Sequence, residues 1–315
     1  MYKLKKYSDN YYNFVYEVKM QAYKKYVEEN FGEWNEEEQK EYFNKFINNV
    51  KENAYIIEHD NKDIGFYNGE VLENGDYEIG NICIIQEYQG KGIGTKILKD
   101  ITNQNMERNI KLQYFKQNPV GKLYQRLGFV LVGETKYHYQ MEKQKIKIEL
   151  KQLSTDMEKA EYDMLQDILD VENGFTNPAY GLSFKEYKDW LQETDNHAKS
   201  IDLPEGWIPY TTYFLCINEI PVGYGRVRHT SSEYLENVIG AGNLGYGISK
   251  EHRGKGYGNI LFTELLKKCK EFGYTTIKLF PLKSNEATVK IMLKNGGRII
   301  GNFKDEKYII EIPIK

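Results

Sequence analysis

Gln89-Gly90-Lys91-Gly92-Ile93-Gly94 and Arg253-Gly254-Lys255-Gly256-Tyr257-Gly258 are two copies of one short pattern, and their surroundings decide the fold. Each follows an apolar run, Ile82 to Ile85 or Leu244 to Ile248. Each leads into residues with helical spacing, Ile93/Ile97/Leu98/Ile101 or Ile260/Leu261/Leu265/Leu266. The order is strand, glycine loop, helix, twice. Three glycines in five positions let the backbone turn its N–H groups toward one point, and the helix that follows adds unpaired N–H groups and the positive end of its dipole. The spacing predicts a phosphate pocket in each half.

The copies begin at positions 89 and 253 of a 315-residue chain, about half its length apart, which implies a duplicated domain. A boundary near the charged run Glu142 to Lys151 predicts domains at 1–145 and 146–315. A domain near 150 residues buries about 68–70% of its surface, so neither half needs a disulfide or a metal to be stable. The three cysteines, Cys83, Cys216 and Cys269, are widely spaced and odd in number, as expected of a reduced, cytoplasmic protein. Met1 to Asn10 lacks the apolar core of a secretory leader, and no run approaches the roughly 18 apolar residues of a membrane span. With 43 basic and 46 acidic residues the net charge is −3, leaving no basic field for nucleic acid. No His, Cys and carboxylate cluster has ligand spacing, so no metal is expected. His59 and His197 read as lying in polar turns.

Both halves show the same order of elements. In the first, a strand at Tyr2 to Tyr7 precedes helices at Asn13 to Tyr26 and Glu36 to Asn49, and strands follow at Ala54 to Glu58, Asp63 to Val71 and Tyr77 to Ile85. The loop helix runs to Met106. Next come a strand at Ile110 to Phe115, a short helix at Gly121 to Leu127 and a hairpin over Phe129 to Glu142. The second half repeats this. It has a strand near Lys145 to Leu153, helices at Asp156 to Leu169 and Phe184 to Glu193, and strands at Thr211 to Ile217, Val222 to Arg228 and Asn243 to Ile248. A loop helix to Phe272, a strand at Thr276 to Phe280, a helix at Glu286 to Lys294 and a hairpin from Arg298 complete it. Antiparallel strands with a single βαβ unit argue for a mixed α/β (α+β) sheet rather than a doubly wound one.

A Walker A loop needs Ser or Thr after its lysine, and here Lys91 and Lys255 are each followed by glycine. A dinucleotide fingerprint needs two residues before its last glycine and an acidic residue closing the next strand, where this chain has Phe115 and Phe280. What remains is Gln or Arg, two residues, Gly, one residue, Gly. This resembles the pyrophosphate loop of the GCN5-related N-acetyltransferase (GNAT) superfamily, which binds acetyl-coenzyme A. Asn118, then Leu123-Tyr124-Gln125-Arg126-Leu127-Gly128-Phe129, is similar to another segment of that family. Asn285 followed by Asn295-Gly296-Gly297 is similar to a branch of it, as are Leu203 to Pro209 and Arg228-His229.

The resemblance implies two tandem GNAT domains. Each would have a largely antiparallel sheet with a central parallel strand pair that splays apart to admit the pantetheine arm. Ile84 and Ile248 would face that arm. Gln89 to Thr95, with Gly90, Lys91, Gly92, Ile93 and Gly94 between them, and Arg253 to Asn259, with Gly254, Lys255, Gly256, Tyr257 and Gly258, would hold the pyrophosphate. Asn118 and Asn285 would contact the arm further along. The implied reaction is direct attack by a primary amine, on a small molecule or a peptide, upon the thioester. Tyr124 matches the family's usual general acid. Four residues before the corresponding glycine, the second half has Met292, which cannot donate a proton. Tyr246 and Tyr257 are its possible substitutes.

For the base, Glu78 on the strand leading into the first loop is the leading candidate, with His138 and His229 behind it. An acidic run from Glu28 to Glu41 suits either a cationic acceptor or a solvated helix start, and Trp207, Tyr210 and Tyr213 suit either an acceptor cleft or core. Besides a tandem enzyme led by its N-terminal half, two readings stay open: a sensor that binds acyl-coenzyme A without turnover, and a purely structural duplication.

Overall fold

The structure is a computed structural model and describes residues 2–314. Contacts divide the chain into two compact units, Met1–Ile146 and Lys147–Lys315.

The first unit runs β1 (Tyr2–Lys6), α1 (Tyr12–Phe31), α2 (Glu36–Val50), β2 (Ala54–His59), β3 (Lys62–Val71), β4 (Tyr77–Ile84), α3 (Ile93–Gln104), β5 (Ile110–Phe115), α4 (Gly121–Arg126), β6 (Val130–Glu134) and β7 (His138–Lys143). Gly32 ends α1 at φ 100°. Asn35 starts α2, its side chain accepting the N–H groups of Glu37 and Glu38, while Glu36, Glu37 and Glu38 complement the dipole of the first turn. The strands form one sheet in the order β1-β2-β3-β4-β5-β7-β6. Every neighbouring pair is antiparallel except β4 and β5, which α3 connects as a parallel crossover.

That parallel pair separates almost at once. It is bonded only through Tyr77↔Ile110, Glu78↔Lys111 and Ile79↔Leu112. The register of β4 on β3 then shifts between Asn68 and Gly69, leaving Gly80 as an extra residue. Beyond this bulge β4 pairs only with β3 and β5 only with β7. The pleat divides the core between the two faces. Ile57, Ile64, Ile79 and Leu112 pack with Ile93, Ile97, Leu98 and Ile101 of α3. Ala54, Ile56, Phe66 and Cys83 pack with Val15, Val18, Phe43 and Ile47 of α1 and α2. Each large apolar side chain so buried contributes about 1.5–3 kcal/mol.

The second unit runs β8 (Ile148–Gln152), α5 (Lys159–Gln166), β9 (Val171–Glu172), β10 (Phe175–Thr176), α6 (Phe184–Ala198), β11 (Tyr210–Ile217), β12 (Ile220–Arg228), β13 (Leu244–Ile248), α7 (Tyr257–Glu271), β14 (Thr276–Leu279), α8 (Glu286–Lys294), β15 (Arg298–Phe303) and β16 (Lys307–Pro313). Here the splay is complete. The strands form two main sheets, β13-β12-β11-β8 and β14-β16-β15, and β13 shares no ladder with β14. Asn243, just before β13, bonds across to β14: its N–H donates to the Lys278 carbonyl at 3.1 Å, and its Oδ1 accepts the Lys278 N–H at 2.8 Å.

The β9–β10 hairpin departs from the sequence reading, which has only a helix to Leu169 in this region. α5 ends at Gln166, and Asn173 (φ 52°) and Gly174 (φ 82°) form a two-residue turn with both residues left-handed, the turn that matches strand twist. A π-helical turn at Leu235–Ile239 is likewise unanticipated.

Candidate functional site

The two glycine loops repeat each other closely. Gln89 and Arg253 share φ −72° and ψ 160°. Gly90 and Gly92 lie at φ 71° and 77°, and Gly254 and Gly256 at 73° and 86°. These values favour glycine at all four positions, and beyond the adjoining backbone nothing lies within 4 Å of where a Cβ would stand on any of them. Gly92 and Gly256 are the N-caps of α3 and α7, and no side chain caps either helix. Asn35, Ser183 and Asn285, by contrast, cap α2, α6 and α8 with their side chains. The first N–H groups of α3 and α7 are therefore left for an anion, over open space. This geometry fits a diphosphate.

Not every loop side chain points to that space. Gln89 Nε2 donates to the Ile84 carbonyl at 2.7 Å, and Arg253 Nε donates to the Ile248 carbonyl at 2.9 Å, the same brace in both units. Arg253 also donates to both carboxylate oxygens of Glu172 at 2.7 and 2.6 Å. Lys91, with its ammonium 5.0 Å from the Tyr88 ring centre, and Lys255 are exposed beside their loops. Thr95 lies in the first turn of α3. Asn259 Oδ1 instead accepts from Asn295, and Tyr257 packs beside His252. Asn118 and Asn285 each accept a backbone N–H two or three residues ahead, from Val120 and Thr288, which fixes each Oδ1 and leaves the amide nitrogen without a hydrogen bond among the described residues.

In the first unit a cavity of about 640 Å³ occupies the splay. Its lining includes Ile79 to Cys83 of β4, Leu112 to Phe115 of β5, Asn118, Tyr124, His138 and parts of α1 and α2. The structure thus brings Asn118 and Tyr124 together. Ile84 and the loop glycines continue β4 just beyond the cavity without lining it. Tyr124 is 7% exposed, packs on Tyr114 and Phe129, and makes no hydrogen bond through its hydroxyl among the described residues. Burial pushes its phenol up, so it stays protonated.

Glu78 is not in the cavity. It precedes the Gly80 bulge, opposite Glu70 on β3 and Lys111 on β5, where the strands are still bonded. His138 does line the cavity, against the Phe115 ring, and burial pushes its imidazole down toward the neutral form. His229 bonds Thr211 and stacks on Phe272 in the second unit. His197, read as a turn residue, is buried in the last turn of α6 against Trp207.

The acidic run resolves into an ordinary helix surface. Glu28, Glu29 and Glu41 pair with lysines four residues away, Glu36 accepts from Tyr16 and Trp34, and only Glu38 of the run reaches the cavity. The cation that reaches it is Lys19, whose Nζ lies 2.7 Å from Asn81 Oδ1. Tyr210 and Tyr213 cannot share a cleft, because alternation sends them to opposite faces of β11: Tyr210 lies under Arg226, and Tyr213 is buried toward Lys268 of α7. Trp207 is 55% exposed.

In the second unit the β9–β10 hairpin covers β13. A Cβ on Gly245 would come within 3.0 Å of the Phe175 ring, and one on Gly247 within 3.1 Å. Tyr224 and Arg226 hold the hairpin through the Thr176 carbonyl. Met292 is 5% exposed in α8. The Tyr246 hydroxyl is buried near Thr288, its ring beside Phe262. Among the described residues no group of three or more His, Cys, Asp or Glu could hold a metal, and no helix is long and apolar enough to cross a membrane.

Comparison with known proteins gives a family match in each half. The acetyltransferase (GNAT) domain model matches residues 51–131, and the acetyltransferase (GNAT) family model matches residues 178–296. Similar solved structures include a protein from Pyrococcus horikoshii OT3, with 22% identity, 46% of this chain and 99% of that one covered, and TM-score 0.38. The PaiA N-acetyltransferase of Thermoplasma acidophilum, in complex with coenzyme A, has 20% identity, coverage of 46% and 99%, and TM-score 0.38. The ribosomal-protein-S18-alanine N-acetyltransferase of Escherichia coli has 18% identity, coverage of 45% and 93%, and TM-score 0.34. No curated protein matches the chain.

Proposed function

Since the chain belongs to the GNAT acetyltransferases, with one such domain in each half, we propose that its first unit acetylates a primary amine using acetyl-coenzyme A. The bound donor supplies an activated acyl thioester. The N–H groups of Gly90 to Thr95 hold its diphosphate, Lys91 adds positive charge, and the unpaired edges of β4 and β5 beyond Gly80 offer backbone groups to the arm, together with the free amide of Asn118 and the flank of Ile84.

The observation that carries the reading is Tyr124, a protonated phenol with no hydrogen-bond partner among the described residues, in the cavity where β4 and β5 part. It donates its proton to the departing sulfur. The amine nitrogen forms the new bond to the acyl carbon as the carbon–sulfur bond breaks, and the amine gives up one proton. His138, neutral and in the same cavity, takes the base role in place of Glu78, which the bulge leaves outside. Steady-state release of thiol by the full chain with an amine panel tests this. Turnover that falls in Tyr124→Phe supports it, and acetyl-coenzyme A binding with no turnover of any amine overturns it.

For the second unit, Met292 favours a sensor role. It binds the same nucleotide through Gly254 to Asn259, with Ile248 and Asn285 alongside, and lacks a proton donor where the first unit has one. Saturable binding to the second unit with no turnover assignable to it is the expected result.

A further inference from the structure

The cavity of the first unit holds a cation that the fold itself does not neutralise. Lys24 and Lys25, on the same helix as Lys19, each pair with a glutamate one turn on. Lys19 forms no ion pair among the described residues. Its ammonium donates to Asn81 Oδ1 at 2.7 Å and lies 3.8 Å from the Phe46 ring centre and 4.9 Å from that of Tyr23. An ammonium has three donors, and Asn81 takes one. Glu38, the one carboxylate among the described residues lining the cavity, forms no ion pair with it.

The geometry around Lys19 is built rather than incidental. Asn81 Oδ1 also accepts the Tyr23 hydroxyl at 3.0 Å, and Asn81 Nδ2 donates to Asn68 Oδ1 at 2.9 Å, with Asn68 itself buried. Asn81 directly follows the bulge at Gly80, where a Cβ would collide with the Asn68 amide. Cys83, two residues on, lies within electrostatic reach of Lys19, Tyr23 and Tyr124, so the cluster and the phenol border one patch of the cavity. The surrounding walls are aromatic, among them Tyr16, Trp34, Tyr42 and Phe43. A cation kept in such a place without a counter-charge is costly unless a ligand supplies one.

We propose that the acceptor is an amine that also carries a carboxylate and an aromatic group, an aromatic amino acid or close analogue, whose carboxylate is received by the two remaining donors of the Lys19 ammonium. This rests on the reading of the first unit as an acetyltransferase. A polycationic acceptor would set its second ammonium against Lys19, and an uncharged side group would leave the lysine unpaired. The aromatic walls take the ring, and the carboxylate anchor directs the amine toward Tyr124.

The test uses the full chain, acetyl-coenzyme A and matched pairs: phenylalanine against phenethylamine, and tyrosine against tyramine. The amino acids are expected to exceed the decarboxylated amines about tenfold or more in kcat/KM. The preference should vanish in Lys19→Met, mainly through KM, and return in part in Lys19→Arg. Equal rates for both members of each pair overturn the proposal. So does a Lys19→Met loss in kcat common to both, which would place Lys19 in the chemistry. If no amine is turned over, the acetyltransferase reading fails separately. Calorimetry with N-acetylphenylalanine against N-acetylphenethylamine in the presence of coenzyme A then decides the carboxylate site, and equal affinities overturn it. Lys19→Met should melt no lower than the parent chain, which separates lost recognition from lost folding.

Discussion

Tyr124 and Met292 hold the same position in the two units: the Tyr124 carbonyl accepts the N–H of Phe129 at 3.0 Å, and the Met292 carbonyl accepts that of Gly297 at 2.9 Å, each from five residues on. Both side chains are buried beneath a short helix that follows the splayed strands. The backbone is conserved between the halves while the proton donor is not, and this separates the roles proposed for them.

Tyr124→Phe should lower kcat about a hundredfold, the scale of a positioned general acid, with little change in acetyl-coenzyme A affinity. It removes a hydroxyl that forms no hydrogen bond among the described residues. Paired steady-state kinetics and nucleotide titration check this. Undiminished turnover would move the acid role to solvent or another group.

Gly92→Val should remove nucleotide binding from the first unit and Gly256→Val from the second. A β-branched residue is strained at φ 77° or 86°, and its bulk would fill the space left open before the helix. Calorimetry should find two sites in the parent chain and one in each variant. Two sites in either variant would show that the anion does not sit there.

Glu172→Gln should loosen the β9–β10 hairpin. The bidentate pair with Arg253 is partly exposed, so its worth is about 0.2–1 kcal/mol. Amide hydrogen exchange at 171–176 should quicken while α7 is unaffected. Unchanged exchange would leave Phe175 and Thr176 as the hairpin's holding contacts.

Burial lowers the Lys19 ammonium to about 8, while burial raises the neighbouring Tyr23 phenol and Cys83 thiol, so both remain neutral across that range. N-acetylphenylalanine should therefore bind with constant affinity below pH about 8 and lose up to about tenfold per unit above it, as the free protein's lysine discharges. N-acetylphenethylamine should show no such slope. For stability the sign is opposite. A lysine whose folded value lies below its unfolded value of about 10.4 weakens the fold at neutral pH, and that penalty fades as pH rises through 8.

Much of the site was legible because it is written in short-range spacing. Gly90, Gly92, Gly254 and Gly256 announce left-handed backbone, and the count from Gly128 or Gly296 locates Tyr124 and Met292. The β9–β10 hairpin also carries a local signal, the Asn173-Gly174 pair at the centre of a tight turn. Glu78 and Lys19 had none. Whether Glu78 reaches the cavity depends on the Gly80 bulge, which ends strand pairing just after it. Lys19 sits among helical residues that look alike until the sheet beneath them is in place.

The amino-acid sequence alone determined the duplication, most of the order of elements and the left-handed glycines of the two loops, because backbone conformation and amphipathic period are local properties that residue types impose. Only the tertiary structure decided which charges face the cavity. A side chain's partners there come from α1, α2 and β4, segments far apart in the chain whose meeting depends on register, bulge and packing.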